Sequence, residues 1–297
     1  YVNISGFTVR GATGTFSSGI YLKGAYCNLS NNSIRDNYYG IWCSGSFENV
    51  LSDNIISNND YGIYLFSSGK TKILNNTFIH NGLFVLYPIS NNFVVNNTIN
   101  GKPLVYFEGE SDFTIENAGQ VVLVRCSNVT VEKTEFSNTD VGIELWETKD
   151  SKIHNNIVIQ SKYGIFLGYS NNNSIFSNNI NNNSWGIVLE YSSENNKILN
   201  NNVSGNEYGI TLWYWSNNNS ISNNNCSLNN YGIRIGYSSF NNVSNNDILD
   251  NSKSGVKIYR SRNNIISSNI VFNNDEGISP VSYTHLRAHE TEADLVC

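Results

Sequence analysis

The sequence predicts an all-β chain that forms a right-handed, single-stranded parallel β-helix of about 13 coils, each of roughly 22 residues and three short strands. Three observations predict this fold: a Gly-aliphatic pair recurs at a fixed step, three apolar positions keep phase within each repeat, and Asn clusters between them. From Gly142 onward the pairs are 22, 22, 23, 23, 23 and 22 residues apart. A fixed step of this size is typical of a solenoid, in which each repeat stacks on the next.

The apolar positions define three strands per repeat. The first strand reads Gly-Ile-x-Leu, and its alternation turns both apolar side chains to one face. The other two positions follow later in each repeat, and we expect each to form a buried column, with coils about 4.8 Å apart. The second column contains Ile73, Ile153, Ile175, Ile198, Ile221, Val243 and Ile265, and the third contains Ile34, Ile55, Ile79, Ile157, Ile180, Val203, Ile248 and Ile270.

Asparagine accounts for 54 of the 297 residues and falls between the predicted strands. Asn tolerates the left-handed backbone conformation that tight corners require. Its side chain can also hydrogen-bond to the same side chain in the next coil, as in other stacked-strand structures. The Asn runs therefore indicate corners, and they explain how a chain with few charges can fold.

Composition excludes several classes of function. The net charge of −6 and the pI near 5.2 argue against a nucleic-acid partner, which would require clustered Lys and Arg. The chain contains no apolar run long enough to span a membrane. Its five cysteines are widely spaced, and Cys43 and Cys226 occupy apolar positions of the repeat, so we interpret both as small buried side chains.

The repeat sets the predicted domain boundaries. We expect one β-helix domain over 1–279 that begins in mid-pattern and lacks its true N-terminus, with irregular coils near 83–141. Two degraded coils are expected there, near 103–107 and 120–123. Residues 280–297 contain no Asn and break the pattern, so we interpret them as a tail that is not native. His285 and His289 have a metal-ligand spacing but fall in this tail, and we predict no metal site.

The repeated NNxI…NNxxxYGIxL blocks, such as 155–167 and 200–212, resemble the NosD-like and pectin-lyase-like β-helix repeat families of bacterial and archaeal surface or periplasmic proteins. The segments 100–108 (NGKPLVYFE) and 117–124 (NAGQVVLV) resemble a recurring feature of NosD-type repeats. The resemblance implies export from the cytoplasm, and the fold hosts lyases, hydrolases, epimerases, adhesins and maturation factors. The NosD resemblance also implies copper-enzyme maturation, but a chain with no Met and no clustered Cys or His does not support copper.

Candidate catalytic residues are few. Glu144 and Glu190 lie on the Gly-Ile-x-Leu strands, about two coils apart, and Arg234 follows in the same outward column. A carboxylate pair could serve acid-base chemistry on a polysaccharide, and a lyase of this type would imply Ca²⁺. The alternative is that all three are solvated charges on a sheet face, and no cofactor is evident.

Aromatic residues recur at fixed phase on the outward side of the repeat. They precede the Gly, as in Tyr163, and follow the strand, as in Tyr169. Columns of rings suit a polymer because flat rings stack on sugar C–H faces; alternatively, the rings only seal the corners between coils. The predicted ligand-binding residues are Trp42, Tyr64, Trp146, Phe166, Trp213 and Tyr259.

These features leave three functions open. The first is an exported, non-catalytic surface scaffold that binds a polysaccharide or a cell-envelope glycan. The second is a polysaccharide lyase, hydrolase or epimerase, and the third is a NosD-like periplasmic maturation factor. All three imply a periplasmic, cell-surface or extracellular location.

Overall fold

The computed structural model describes residues 1–89, 91–281 and 287–288. Over these residues the chain consists of strands, turns and loops, without a helix. It is a parallel β-solenoid of about 13 turns spaced about 22 residues apart, as the sequence predicts. Contacts divide the chain into two compact units: unit 1 comprises Tyr1–Glu110, Asn117–Cys126 and Phe136–Trp146, and unit 2 comprises Ser111–Glu116, Ser127–Glu135 and the chain from Glu147 onward.

The strands are short, and most contain three to six residues. In chain order the earlier ones are β1 Val2–Ser5, β2 Thr8–Arg10, β3 Ser18–Leu22, β4 Cys27–Ser30, β5 Ser33–Arg35, β6 Tyr39–Ser44, β7 Val50–Ser52, β8 Ile55–Ser57, β9 Tyr61–Phe66, β10 Lys72–Leu74, β11 Thr77–Ile79, β12 Leu83–Leu86, β13 Phe93–Val95, β14 Thr98–Ile99, β15 Lys102–Glu108, β16 Thr114–Ile115, β17 Gln120–Val124, β18 Thr130–Glu132 and β19 Glu135–Ser137.

The later strands repeat the same three-strand pattern. They are β20 Val141–Trp146, β21 Lys152–His154, β22 Ile157–Ile159, β23 Tyr163–Gly168, β24 Ser174–Phe176, β25 Asn179–Asn181, β26 Trp185–Glu190, β27 Lys197–Leu199, β28 Asn202–Ser204, β29 Tyr208–Trp213, β30 Ser220–Ser222, β31 Tyr231–Gly236, β32 Asn242–Ser244, β33 Asp247–Leu249, β34 Ser254–Tyr259, β35 Ile265–Ser267, β36 Ile270–Phe272, β37 Glu276–Val281 and β38 Arg287–Ala288.

Each sheet collects one strand from every coil. In unit 1 the orders are β1-β4-β7-β10-β13, β2-β5-β8-β11-β14 and β3-β6-β9-β12. In unit 2 the strands that carry the Gly-aliphatic pair run β23-β26-β29-β31-β34-β37, and we call this the GI sheet of unit 2. The second strands of unit 2 run β16-β18-β21-β24-β27-β30-β32-β35-β38. Neighbours within these stacks are parallel.

The predicted columns are confirmed where the register is regular. Ile175 pairs with Ile198, and Ile198 pairs with Ile221, and all three side chains are fully buried. Cys43 and Cys226 are also fully buried, as expected. Burial of like apolar residues in each coil provides the main favourable free energy of the stack.

The third column is wrong by one residue in several coils. The side chains of Ile55, Ile79, Ile157 and Ile270 are exposed, and the neighbours of the first three, Ile56, Phe78 and Val158, are buried instead. In the second column Val243 pairs with Ile266, and Ile265 is exposed. Each error falls where two or more apolar residues are adjacent, so alternation alone does not decide which of them faces inward.

The Asn-Asn dipeptides combine two different roles. In Asn200-Asn201, Asn200 has a φ of 55° and turns the corner, whereas Asn201 is buried. The Oδ1 atom of Asn201 accepts hydrogen bonds from the backbone N and the Nδ2 of Asn178, each at 3.0 Å. Its Nδ2 donates to the backbone O of Ile175 at 2.9 Å and to Oδ1 of Asn224 at 3.0 Å. Similar ladders join the buried Asn residues of successive coils, which satisfies polar groups that no water reaches.

The recurring Gly is required by close approach between coils. A Cβ atom on Gly186 would lie 2.5 Å from the carbonyl O of Gly209, and one on Gly164 would lie 2.4 Å from that of Gly186. Both distances are shorter than any carbon-oxygen contact between non-bonded atoms. The Gly-aliphatic pair therefore marks a position where successive coils leave no room for a Cβ atom.

The irregular middle of unit 1 contains a hairpin that the sequence analysis missed. Strands β15 and β17 confirm the two expected segments, but β14 pairs antiparallel with β15 across Asn100-Gly101, whose φ angles are 49° and 84°. Such an Asn-Gly pair is typical of a tight hairpin turn. Strand β15 then pairs in parallel with β17, and β17 pairs with β20.

Side chains from β17 and β20 bind β12 at the edge of the first-strand sheet of unit 1. Gln120 accepts a hydrogen bond from the backbone N of Leu83 at 3.0 Å and donates to its carbonyl O at 2.6 Å. Glu144 accepts one from the backbone N of Val85 at 3.2 Å. These side chains supply hydrogen bonds that a neighbouring strand would otherwise provide.

Candidate functional site

The GI sheet of unit 2 carries two ladders of stacked rings, one along each side of its outward face. The first ladder consists of the residues directly before the recurring Gly in four successive coils, which are Tyr163, Trp185, Tyr208 and Tyr231. Its successive ring centroids are 6.1, 4.0 and 5.1 Å apart, with interplanar angles of 16° or less. Each ring comes from a separate coil, so the parallel register itself builds the stack.

The second ladder follows the strands and occupies the corner. It runs Tyr169, Tyr191, Tyr214, Tyr237, with centroids 5.8, 6.0 and 5.7 Å apart. These tyrosines all have positive φ angles, between 47° and 54°. Tyr169 and Tyr214 are both 39% exposed, so this ladder presents ring edges and hydroxyl groups to solvent.

Basic side chains lie on the rings in the later coils. The Cζ atom of Arg234 lies 4.1 Å from the ring centroid of Trp213 and 5.2 Å from that of Tyr208. Lys257 follows Arg234 in register on the next strand, and its Nζ lies 5.3 Å from the ring centroid of Tyr231. Such contacts hold each cation in place while leaving part of its charge available to a ligand.

Trp213 is packed into the face rather than standing free on it. Its ring lies over Gly236, where a Cβ would fall 1.9 Å from a ring atom, and it stacks on Tyr259 with the planes 7° apart. Arg234 covers the ring as well. Both predicted ligand-binding residues, Trp213 and Tyr259, are half-buried. The Trp213 ring contacts Arg234, and the Tyr259 ring contacts Arg260.

Two of the three predicted catalytic residues, Glu190 and Arg234, interact electrostatically in unit 2, but the expectation that they share one outward column is wrong. The register aligns Arg234 with Val188, two residues before Glu190 on β26. Burial raises the pKa of the Glu190 carboxyl from its ordinary value to about 7, while a hydrogen bond with Tyr191 and the charge of Arg234 act in the opposite direction. A carboxyl group that titrates near neutral pH can take or give a proton. Glu190, Tyr191 and Arg234 are therefore the best candidates for chemistry among the residues that the structure describes.

Glu144 belongs to unit 1 and is not a surface carboxylate, so the expectation of an outward catalytic position is wrong for this residue. Its side chain is fully buried and binds the backbone of Val85. Burial, together with the nearby charge of Asp140, raises its pKa well above the ordinary value. Asp140 itself accepts a hydrogen bond from the backbone N of Gly62 at 2.6 Å. This pair fixes strand edges and has no access to a polymer.

Phe166 and Trp146 are also buried, at 2% and 1% exposure, so neither ring is available as a ligand platform. The Tyr163 ring packs against Phe166 at 5.6 Å and the Tyr87 ring packs against Trp146 at 5.2 Å. An outward position on a strand is therefore not always an exposed one. A neighbouring ring can cover it, as the Tyr163 ring on the same strand does for Phe166, and strand alternation does not reveal this.

Trp42 and Tyr64, the remaining predicted ligand residues, form an aromatic surface in unit 1. They are half-buried, with centroids 6.4 Å apart, and each packs against Tyr39, at 5.1 and 5.0 Å. Tyr21 packs on Trp42 at 4.9 Å and is 48% exposed. This cluster continues the ring pattern in unit 1.

The sequence analysis missed a hollow at the corner that follows the GI sheet of unit 2. The hollow has a volume of about 320 Å³, and Trp215, Phe240, Arg260 and Arg262 contribute to its lining. Two signals in the sequence could have revealed it. Phe240 replaces an Asn in the corner column, and Trp215 is an extra residue in a 23-residue coil.

Metal chemistry finds little support in the described part of the chain. No three His, Cys, Asp or Glu side chains converge there to form a metal site. His285 and His289 lie outside the described residues.

No helix long and apolar enough to cross a membrane is found in the part of the chain that the structure describes.

Two family models match the chain. Residues 83–230 match a model described as "Periplasmic copper-binding protein (NosD)". The residues described here do not fit copper, because the chain has no Met, its buried cysteines are scattered, and no donor cluster forms. No curated protein matches the chain.

Solved structures with a similar fold include two mutants of one epimerase and a module of another. A double mutant of the periplasmic alginate epimerase AlgG matches with a TM-score of 0.56 at 18% identity, over 89% of this chain and 75% of that one. A single mutant of AlgG matches with a TM-score of 0.54 at 17% identity, over 91% of this chain, which spans 66% of that one. The A-module of Azotobacter vinelandii mannuronan C-5 epimerase AlgE4 matches with a TM-score of 0.52 at 13% identity, over 96% and 79%. At these identities the likeness shows the fold alone.

The second family model is described as "Right handed beta helix region" and matches residues 1–118 and 215–284, more than half of the chain. Its parallel stacks, buried apolar columns and Asn ladders are those of the structure. The chain therefore belongs to the right-handed β-helix family.

Proposed function

We propose that this chain is an exported protein that binds an acidic polysaccharide along the outward face of β29, β31 and β34. The observation that carries the proposal is the regular seating of basic side chains on the ring ladders of that face. Arg234, Lys253, Lys257 and Arg260 each lie within 6 Å of at least one ring centroid. Rings suit sugar C–H faces, and fixed cations suit carboxylates.

The arrangement favours a polymer over a small molecule because it repeats from coil to coil. Arg234 and Lys257 are register partners on adjacent strands, so their backbones are about 4.8 Å apart. A ligand that extends along the stack can meet one cation in each of these two coils. The chain as a whole is acidic, with a net charge of −6, so this local gathering of positive charge is not a general property of its surface.

The comparisons support a carbohydrate-related role. The named structural neighbours are epimerases of alginate and mannuronan, and AlgG is described as periplasmic. The NosD family description is also periplasmic. We infer a location outside the cytoplasm, in the periplasm or at the cell surface.

A second candidate function is an enzyme acting on the bound polysaccharide. The observation that favours it is the Glu190 carboxyl, whose pKa is raised to about 7, next to Tyr191 and Arg234. A base that titrates near pH 7 could remove a proton from a sugar carbon that bears a carboxylate. If Arg234 neutralises the charge of that carboxylate, the proton on the carbon becomes more acidic. Proton NMR of polygalacturonate and alginate after incubation with the protein would reveal any change in sugar configuration or chain length.

The binding proposal is tested by affinity electrophoresis in gels containing polygalacturonate, with neutral mannan as the comparison. We expect polygalacturonate to retard the wild-type chain and the double variant Arg234→Gln, Lys257→Gln to lose most of that retardation. Lys197→Gln is the matched control because Lys197 is an exposed lysine on β27, a different sheet of the same unit. Equal retardation of all three proteins, or none for the wild type, would reject the proposed face.

A further inference from the structure

The corner hollow next to the proposed binding face departs from the repeat in a specific way. In the coils around it, the corner position is held by Asn172, Asn195, Asn218 and Asn263, all with φ between 54° and 60°. Phe240 occupies the same position with φ 61°, and its side chain is 57% exposed. A left-handed conformation suits Asn far better than Phe, and exposure of a large ring gains no burial. Folding alone therefore does not explain Phe240.

Trp215 is the second departure. It is an additional corner residue between Tyr214 and Ser216, has φ 64°, and is 64% exposed. Its ring packs loosely on Tyr214, with centroids 6.2 Å apart. Two large exposed rings thus flank one hollow of about 320 Å³. Exposed aromatic surface concentrated at a concave site is typical of ligand binding.

The polar lining of the hollow is basic and is held in place. Arg260 donates a hydrogen bond from Nη1 to the Tyr237 hydroxyl at 3.1 Å, which orients its guanidinium. The backbone N of Arg262 donates to Oγ of Ser239 at 3.2 Å. The exposed guanidinium of Arg262 makes no ion pair with any residue that the structure describes. Two arginines that line one hollow are well suited to a carboxylate, which accepts paired hydrogen bonds from a guanidinium.

The floor of the hollow is also ordered. Asn217 accepts a hydrogen bond from the backbone N of Ser239 at 2.6 Å and donates from Nδ2 to Glu194 at 3.1 Å. These contacts tie three successive coils together beneath the two rings. A preformed site loses less conformational freedom when a ligand binds.

We propose that this hollow is a subsite for a single acidic sugar unit, stacked against Trp215 or Phe240 with its carboxylate on Arg260 and Arg262. It rests on the proposed function in that both ligands are acidic carbohydrates. The subsite differs from the extended face in location and in size, and Arg260 is the cation that the two proposals share. It would hold one unit or one chain end, whereas the face would hold a run of units.

Isothermal titration calorimetry with trigalacturonate, and with its methyl ester as a neutral match, tests the subsite. We expect the wild type to bind the acid at least tenfold more tightly than the ester. We expect Phe240→Asn, which restores the residue type of the corner column, and Arg262→Gln each to weaken binding of the acid at least tenfold. Phe240→Asn should fold at least as well as the wild type, since Asn suits the left-handed corner.

Leu228→Asn is the matched control. Leu228 is also an exposed apolar residue with a positive φ, 58°, in the same unit, but it lies at a different corner. It should leave trigalacturonate binding unchanged. Equal affinity for acid and ester, wild-type affinity in Phe240→Asn, or loss of binding in Leu228→Asn would each overturn the subsite.

The two proposals can fail separately. Retardation by polygalacturonate without any binding of trigalacturonate would reject the subsite and leave the extended face standing. Binding of trigalacturonate that depends on Phe240, with no effect of Arg234→Gln, Lys257→Gln on polymer retardation, would reject the face and support the subsite.

Discussion

Replacing Asn201 by Ala should remove one rung of a buried amide ladder and strongly destabilise unit 2. The side chain accepts hydrogen bonds from the backbone N and Nδ2 of Asn178 and donates to the backbone O of Ile175 and to Oδ1 of Asn224. Without it, about two or three buried polar groups lose their partners, each at about 1–3 kcal/mol. We therefore expect a loss of about 2–9 kcal/mol in the free energy of unfolding.

The adjacent residue provides the control. Asn202 is exposed, and its side chain bonds to the side chains of Asn179 and Asn225, at 2.8 and 3.0 Å. Because water can replace these partners, Asn202→Ala should cost less than about 1 kcal/mol. Urea unfolding followed by far-UV circular dichroism compares the midpoints of the two variants. Equal midpoints would refute the assignment of different roles to the two Asn residues.

Three further predictions concern packing and charge. Gly236→Ala should displace the Trp213 ring, because the added Cβ would lie 1.9 Å from it, and should shift the tryptophan fluorescence; an unchanged spectrum would contradict the close packing. Gly186→Ala should cost several kcal/mol on thermal unfolding, because its Cβ would lie 2.5 Å from the carbonyl O of Gly209, and wild-type stability would show that the coils can separate freely. Glu144 has a folded-state pKa above its ordinary value of 4.5, so the native state binds more protons and its contribution to stability falls as pH rises above 4.5; Glu144→Gln should make the fall in melting temperature with pH shallower, and an identical pH profile would show that this carboxyl does not titrate differently on folding.

The regular coils could be predicted because the same few residues recur at fixed phase. A Gly that allows close approach, an Asn that turns a corner and an Asn that bridges coils each leave a visible mark at every repeat. Ile175, Ile198 and Ile221 stack as the period requires. Once the coils stack in parallel register, rings at the same position of each repeat form the ladders, so these too can be predicted from the sequence.

The rest depends on contacts that the period does not encode. Ile55 and Ile56 are equally apolar, and only the neighbouring coil decides that Ile56 faces inward. The position of Glu144 in the repeat predicts a charge on the surface. Its side chain instead binds the backbone of β12, because the Asn100-Gly101 hairpin redirects the chain.

Some features of the candidate site could also be predicted from the sequence, and others could not. The nearness of Glu190 to Arg234 does not follow from a shared column, because the register aligns Arg234 with Val188 and not with Glu190. The burial of Phe166 and the covering of Trp213 likewise depend on how neighbouring side chains pack. Burial on an outward sheet face cannot be read from alternation, because alternation separates the two faces and does not say what covers either of them.

The most direct test of the binding face is lysine footprinting in the presence of polygalacturonate. Acetylation of Lys253, Lys257 and Lys197 can be followed by mass spectrometry with and without the polymer, at equal ionic strength. Binding along the outward face of β29, β31 and β34 predicts that the polymer slows acetylation of Lys253 and Lys257 and leaves Lys197 unaffected. Equal labelling rates with and without the polymer at Lys253 and Lys257, or protection confined to Lys197, would contradict it.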